Sequence, residues 1–190
     1  MHSPALSIQR HPTEKPCVVT VPYEAVLQGV YILQLATCEQ LRELLGYSKN
    51  SKERVQKLVK KLTDKGYLLA DHVPTKKGNS PHYYVLGRRG RQYCKALGLD
   101  IRHYFRRSQE KDFGSSFLNH TLSLNDVIIS AVRLKHHTPE YTLSGFVHER
   151  VVKQTPVLAT CYVRFQKQRR EHLFSYLCLS WLLRKSVLKK

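Results

Sequence analysis

Between Lys49 and Arg91 the chain sets twelve basic residues (Lys49, Lys52, Arg54, Lys57, Lys60, Lys61, Lys65, Lys76, Lys77, Arg88, Arg89 and Arg91) against three acids, Glu53, Asp64 and Asp71. The resulting +9 is half of the formal +18 carried by all 190 residues. Ammonium and guanidinium groups at this density suit a polyanion, because each phosphate they meet releases condensed counterions. Amides and hydroxyls can read base edges instead, and Asn50, Ser51 and Gln56 stand among the cations. These types in this order point to duplex DNA as the partner. Lys52, Arg54, Lys57, Lys60 and Lys61 are the expected contacts of a groove-entering helix, with Asn50, Ser51 and Gln56 as base readers. Lys76 and Lys77 would reach phosphates from a hairpin tip, and Arg88, Arg89 and Arg91 would anchor the backbone. A solvated lysine face explains any one helix, but it does not explain helix, hairpin and charge occurring together.

Other reactive side chains offer less. Asp126 follows His120 by six residues, about 240° round a helix, and Asn125 sits at about 140°, so the three share no face. A capping or helix-positioning role is expected for them. Glu149-Arg150 reads as an ion pair or an outward charge on a strand, and His136-His137 beside Pro139 as a loop without metal partners. "GRRGR" (Gly87 to Arg91) is too short for a phosphate-cradling loop and precedes a helix. The five cysteines (Cys17, Cys38, Cys94, Cys161, Cys178) form no CxxC pair and no zinc spacing, so reduced thiols are expected. The residues predict no cofactor, no metal, no small-molecule substrate and no enzymatic activity.

Composition sets the frame for the elements. Apolar residues make up 42% and charged residues 24%, which suits a globular chain. The opening "MHSPALSIQRHPTEKP" is polar, and the longest apolar stretch, Leu173 to Leu183, is short of the ~20 residues that span a bilayer. The expectation is a soluble, cytoplasmic protein with no membrane partner.

Residues 1–22, punctuated by Pro4, Pro12, Pro16 and Pro22, read as an irregular arm. From Tyr23 the spacing of Val26, Val30 and Leu33 predicts a helix. Thr37 with Gln40 is a capping-box signature for a second helix stopped at Gly46. Ser51 should cap a third, ending at Gly66, with Val55, Leu58, Val59 and Leu62 on its inner face. "YLLADHV" and "HYYVLG" read as strands joined through a Gly78-Asn79 turn. "RRGRQYCKALGL" reads as a short helix with Tyr93, Ala96 and Leu97 inward. The order predicts an α+β fold whose 23–99 segment is a winged helix-turn-helix, its third helix facing the DNA major groove. Residues 100–155 form a helix-strand segment, and 156–190 a basic amphipathic tail. The helix "FLNHTLSLNDVIISAVRL" is apolar over much of its circumference, which suits burial against a sheet or across a homodimer interface.

"YYVLGRRGRQYCKALG", "FLNHTLSLNDVIISAVRL" and "HERVV" together resemble the replication-relaxation family of bacterial and plasmid proteins, over roughly Tyr23 to Val152. Its members set a winged helix before a His, apolar, Asn-Asp, long-helix segment and an acidic-Arg strand. His120, Asn125, Asp126, Glu149 and Arg150 match those pieces. The resemblance implies a role in plasmid replication and DNA relaxation. Fuller members continue into a segment resembling a restriction-endonuclease core, whereas here the only carboxylate side chain after Glu149 is Glu171. A metal-dependent nuclease needs clustered carboxylates, so the resemblance does not extend to that activity. The basic stretch from Arg164 is what a truncated, divergent or frame-shifted C-terminal part would show.

The leading expectation is a double-stranded DNA binder, sequence-tolerant or operator-specific, acting in plasmid replication or transcription. A protein-interaction adaptor on a winged-helix scaffold is the alternative, with a degenerate nicking protein behind it.

Overall fold

Apolar residues at three- and four-residue steps bury one side of the first helix, α1 (Val21–Leu33), through Val26, Leu27, Val30 and Leu33. In the computed structural model the described residues are 18–72, 81–102, 104–106, 114–137, 141–147, 162–167 and 170–175. Pro22 sits in the first turn of α1, where its missing N–H is no loss. The helix therefore starts two residues before the predicted Tyr23, inside the segment read as an arm. The Gly78-Asn79 turn, Lys76, Lys77, Glu149 and Arg150 lie outside the described residues.

After α1 come β1 (Ala36–Thr37), α2 (Cys38–Leu44), a 3-10 turn (Lys49–Ser51), α3 (Lys52–Asp64), β2 (Leu68–His72), β3 (His82–Leu86), α4 (Arg88–Ala96) and α5 (Ser115–His137). β4 (Tyr141–Val147), β5 (Tyr162–Lys167) and β6 (Arg170–Ser175) follow. The fold is thus mixed helix and antiparallel sheet. One sheet runs β1-β3-β2, with Ala36 opposite Tyr84 and Leu68 to His72 opposite Leu86 to His82. The second runs β4-β5-β6. Two compact units divide at Asp126/Val127.

The expected capping box forms: the Gln40 N–H donates to Thr37 Oγ1 at 3.2 Å, and the Thr37 N–H to Gln40 Oε1 at 3.2 Å. Gly46 and Gly66 follow their helices at φ 71° and 73°, the left-handed region that glycine enters without a Cβ penalty. Ser51 precedes α3 but makes no cap hydrogen bond; its hydroxyl lies 3.0 Å from that of Ser48, because the chain enters α3 through the 3-10 turn. Val55, Val59 and Leu62 are fully buried on α1 and α2's side, whereas Leu58 is only half-buried, at the edge of the stripe.

α4 corrects another inward face. Gly90 and Cys94 are its buried residues, and Ala96 and Leu97 are exposed. A Cβ at Gly90 would collide with the Tyr67 carbonyl, so this glycine serves close helix packing, and that approach turns the 90/94 edge inward. Tyr93 is half-buried, with its hydroxyl donating to Glu24 Oε2 of α1 at 2.7 Å. β1 is too short to carry a periodic signal, and the alternation in β5 and β6 is hidden by the basic residues that made 156–190 read as a tail.

The α1–β1 corner joins these parts. Gln34 has φ 67° and ψ −45°, and the Leu35 N–H donates back to the Leu33 carbonyl at 2.8 Å. This is a classic-type γ-turn, rare and strained for a residue with a Cβ. The Gln34 carbonyl accepts from the Tyr104 hydroxyl at 2.6 Å, and that hydroxyl accepts from the Leu86 N–H at 2.7 Å. Gln34 Oε1 accepts from the Phe105 N–H at 2.9 Å. Both aromatic side chains are buried.

Two outcomes follow for stability. Leu62→Ala should cost about 2–5 kcal/mol in urea unfolding, and Leu58→Ala well under about 2 kcal/mol; equal costs would refute the half-buried placement of Leu58. The hydrogen bond to Glu24 pushes the Tyr93 phenol up to about 12, and burial pushes Tyr83 up to about 12. A folded-state pKa above the unfolded value favours the neutral phenol. This contribution is complete below about pH 10 and is lost as pH rises towards about 12. The unfolding midpoint should therefore fall across that window, and fall less in a Tyr83→Phe/Tyr93→Phe variant. An unchanged slope would show that these phenols do not govern alkaline stability.

Candidate nucleic-acid interface

α3 turns its charged residues to solvent because its other side is taken by Val55, Val59 and Leu62. Lys52, Arg54, Gln56, Lys57, Lys60 and Lys61 are exposed, as is Asn50 in the preceding turn, and Ser51 is half-buried. Lys52, Lys57, Lys60 and Arg88 have no ion-pair partner among the described residues. Like charges gathered on one face repel each other; Glu39, near Lys49 and Lys52, and Glu53 on α3 itself offset part of that repulsion.

Two aromatic rings position cations at the margins of this face. Arg54 lies over the Tyr47 ring at 5.6 Å, and Lys61 over the Tyr23 ring at 5.2 Å, within cation–π range. Tyr47 is itself held in place. The Arg42 guanidinium donates to the Tyr47 carbonyl at 2.7 Å and to Glu39 Oε1 at 2.6 Å. Arg42 is buried, and its hydrogen bond holds the Glu39 carboxyl below the usual range. Tyr23, Asn50, Ser51, Glu53, Arg54, Lys57, Leu58 and Lys61 line an open groove of ≈ 530 Å³. The groove gathers Asn50, Ser51, Arg54, Lys57 and Lys61 from the sequence-predicted contacts, while Lys52, Gln56 and Lys60 are not among its lining residues.

The three arginines of α4 divide differently. Arg88 is exposed. Arg89 Nη1 donates to the Lys65 carbonyl at the end of α3 at 2.8 Å, and Arg91 Nη1 to the Leu86 carbonyl at 2.7 Å. Both therefore serve the protein backbone, and burial lowers the Arg91 pKa from its ordinary value. Gly87 belongs to the same packing, its N–H donating to the Tyr67 carbonyl at 2.8 Å. "GRRGR" is thus a seam between α4 and the α3–β2 turn.

The Asn125-Asp126 pair has a positioning role. Asn125 is fully buried and its Nδ2 donates to the Leu35 carbonyl at 2.6 Å. Gln40 Nε2 donates to the Leu122 carbonyl at 2.9 Å and to Asp126 Oδ1 at 2.7 Å. These bonds seat the first half of α5 on the α1–β1 corner and α2. His120 is exposed on the same unbroken helix, away from Asn125.

Sequence reasoning missed Tyr23 and Glu53 as parts of the groove, and Tyr47 as the ring beneath Arg54. Tyr47 lies seven residues before Arg54 and Tyr23 lies on another helix, so no local period links ring to cation. Among the described residues no three His, Cys, Asp or Glu side chains gather to hold a metal ion, and no helix is long and apolar enough to cross a membrane.

No curated protein and no solved structure matches the chain. Residues 27–155 match the replication-relaxation family. The matched span holds α1 from its second turn, the groove-lining α3, both strands of the β2–β3 pair and the Asn125-Asp126 seat of α5. With most of its length inside that match, the chain belongs to the replication-relaxation family.

Proposed function

We propose that this protein binds double-stranded DNA through a winged helix-turn-helix formed by α1 to β3, with α3 as the helix that enters the major groove. Family membership ties it to replication-related function. Binding would serve plasmid replication or relaxation, or transcriptional regulation, in the cytoplasm. The observation that carries the reading is the exposed face of α3, where Lys52, Lys57 and Lys60 stand without ion-pair partners and Arg54 and Lys61 are held over rings. The element order around the β1-β3-β2 sheet supports it, since β2 and β3 run antiparallel towards the segment carrying Lys76 and Lys77, as a wing requires. Arg88 is the α4 cation best disposed to touch phosphate, since the guanidinium groups of Arg89 and Arg91 donate to backbone carbonyls.

Salt dependence tests this reading. Each lysine that meets a phosphate adds about 0.9 to the slope of log affinity against log salt. Lys57→Ala/Lys60→Ala/Lys61→Ala should therefore bind every duplex more weakly in gel shift, with a slope shallower by roughly 2 to 3 units. Lys189→Ala/Lys190→Ala removes charge outside the unit that ends at Asp126 and should change the slope much less per lysine. Equal effects per lysine would mean diffuse polycation binding and would end the docking reading.

The proposal is a binding function without strand chemistry. Supercoiled plasmid incubated with the protein and Mg²⁺ or Mn²⁺ should remain supercoiled. Nicking that co-purifies with the protein and vanishes in Glu149→Ala would establish an enzyme instead.

A further inference from the structure

Glu53 is the acid that does not fit a plain phosphate-binding face. It is exposed on α3 and lines the groove with Arg54, Lys57 and Lys61, yet it has no hydrogen-bond or ion-pair partner among the described residues. Lys57 stands one turn further on, at the spacing where a Glu–Lys pair forms readily, and that pair is not made. An acid in the first turn also gains from the helix dipole, by about 0.3–1 kcal/mol, but this gain needs neither the groove nor its neighbours. In a surface that binds phosphate, a free carboxylate is repulsive unless it meets a donor.

The bases supply one donor of the right kind. In the major groove the exocyclic amine of cytosine donates, and Glu or Asp accepts from it. Placement agrees, because the N-terminal residues of a recognition helix are the ones that reach base edges. Glu53 is the second residue of α3, and the two residues just before the helix, Asn50 and Ser51, line the same groove. We infer that Glu53 is a specificity-determining residue which accepts a hydrogen bond from the N4 amino group of a cytosine, making the protein sequence-selective at that position. The inference rests on the DNA-binding reading above. It goes further by giving the groove a base preference and by assigning Glu53 a role opposite to that of its cationic neighbours: it would weaken binding to duplexes lacking the cytosine and favour those that carry it.

Enrichment of bound duplexes from a random library, followed by gel shift with the selected site, tests the assignment on the full chain and on Glu53→Ala. Circular dichroism confirms that this exposed substitution folds. The wild type should enrich a C·G pair at one position, with replacement of that pair weakening binding about 5- to 150-fold, the usual range for one mismatched base pair. The variant should lose the preference at that position alone, keep the others, and bind unrelated duplexes as tightly as the wild type or more tightly. Identical enriched sites for the two proteins would overturn the inference. Duplex binding by the wild type without any base preference would also overturn it, while leaving the DNA-binding function standing. Absence of duplex binding would overturn both.

Discussion

The first unit is organised by the need to satisfy polar backbone buried at one corner. Where α1 ends, the chain reverses through a strained γ-turn at Gln34 and enters β1 at Ala36. Buried carbonyls without partners cost about as much as lost hydrogen bonds. Here each partner comes from far along the chain: Tyr104 for the Gln34 carbonyl and Asn125 for the Leu35 carbonyl. Tyr104 also takes the Leu86 N–H, so one hydroxyl joins the end of α1 to the end of β3. The strained turn persists because the surrounding hydrogen bonds over-determine it.

From this corner the position of the charged helix follows. β1 pairs with β3, and Thr37 at its end caps α2. Arg42, buried in α2, reaches the Tyr47 carbonyl and so holds the approach to α3. α3 then lays Val55, Val59 and Leu62 into the core and has only one direction in which to send its lysines. At its far end Arg89 binds the Lys65 carbonyl, fixing α4 to the close of the helix. The helix that carries the cations is thus held at both ends by hydrogen bonds to its neighbours.

Gln40 shows how one residue can couple local and distant structure. Its side-chain oxygen completes the capping box of α2, and its side-chain nitrogen bonds the Leu122 carbonyl and Asp126. Helix start and helix docking thus share an amide. The helix-positioning role expected of the Asn-Asp pair takes the form of this docking, and Leu118, Thr121 and Leu124 are buried beside it on α5.

Local chemistry alone determined much of this protein. The Thr37–Gln40 capping box, the glycine stops at Gly46 and Gly66, the α3 stripe apart from Leu58, and the two strands β2 and β3 are all short-range or periodic features, set by neighbours within a few residues. The density of cations on α3 was visible for the same reason. Tertiary structure decided what depends on partners distant in sequence. It set the inward face of α4, where the Tyr67 carbonyl leaves room only for Gly90. It also drew Arg89 and Arg91 to backbone carbonyls and joined Tyr23 and Tyr47 to the cations of α3. A helix records in its own period which residues share a face, but not which atoms a neighbouring element will bring against that face. For that reason Glu53 could be placed among the outward charges from sequence, while its position in a groove beside Asn50 and Ser51 needed the fold.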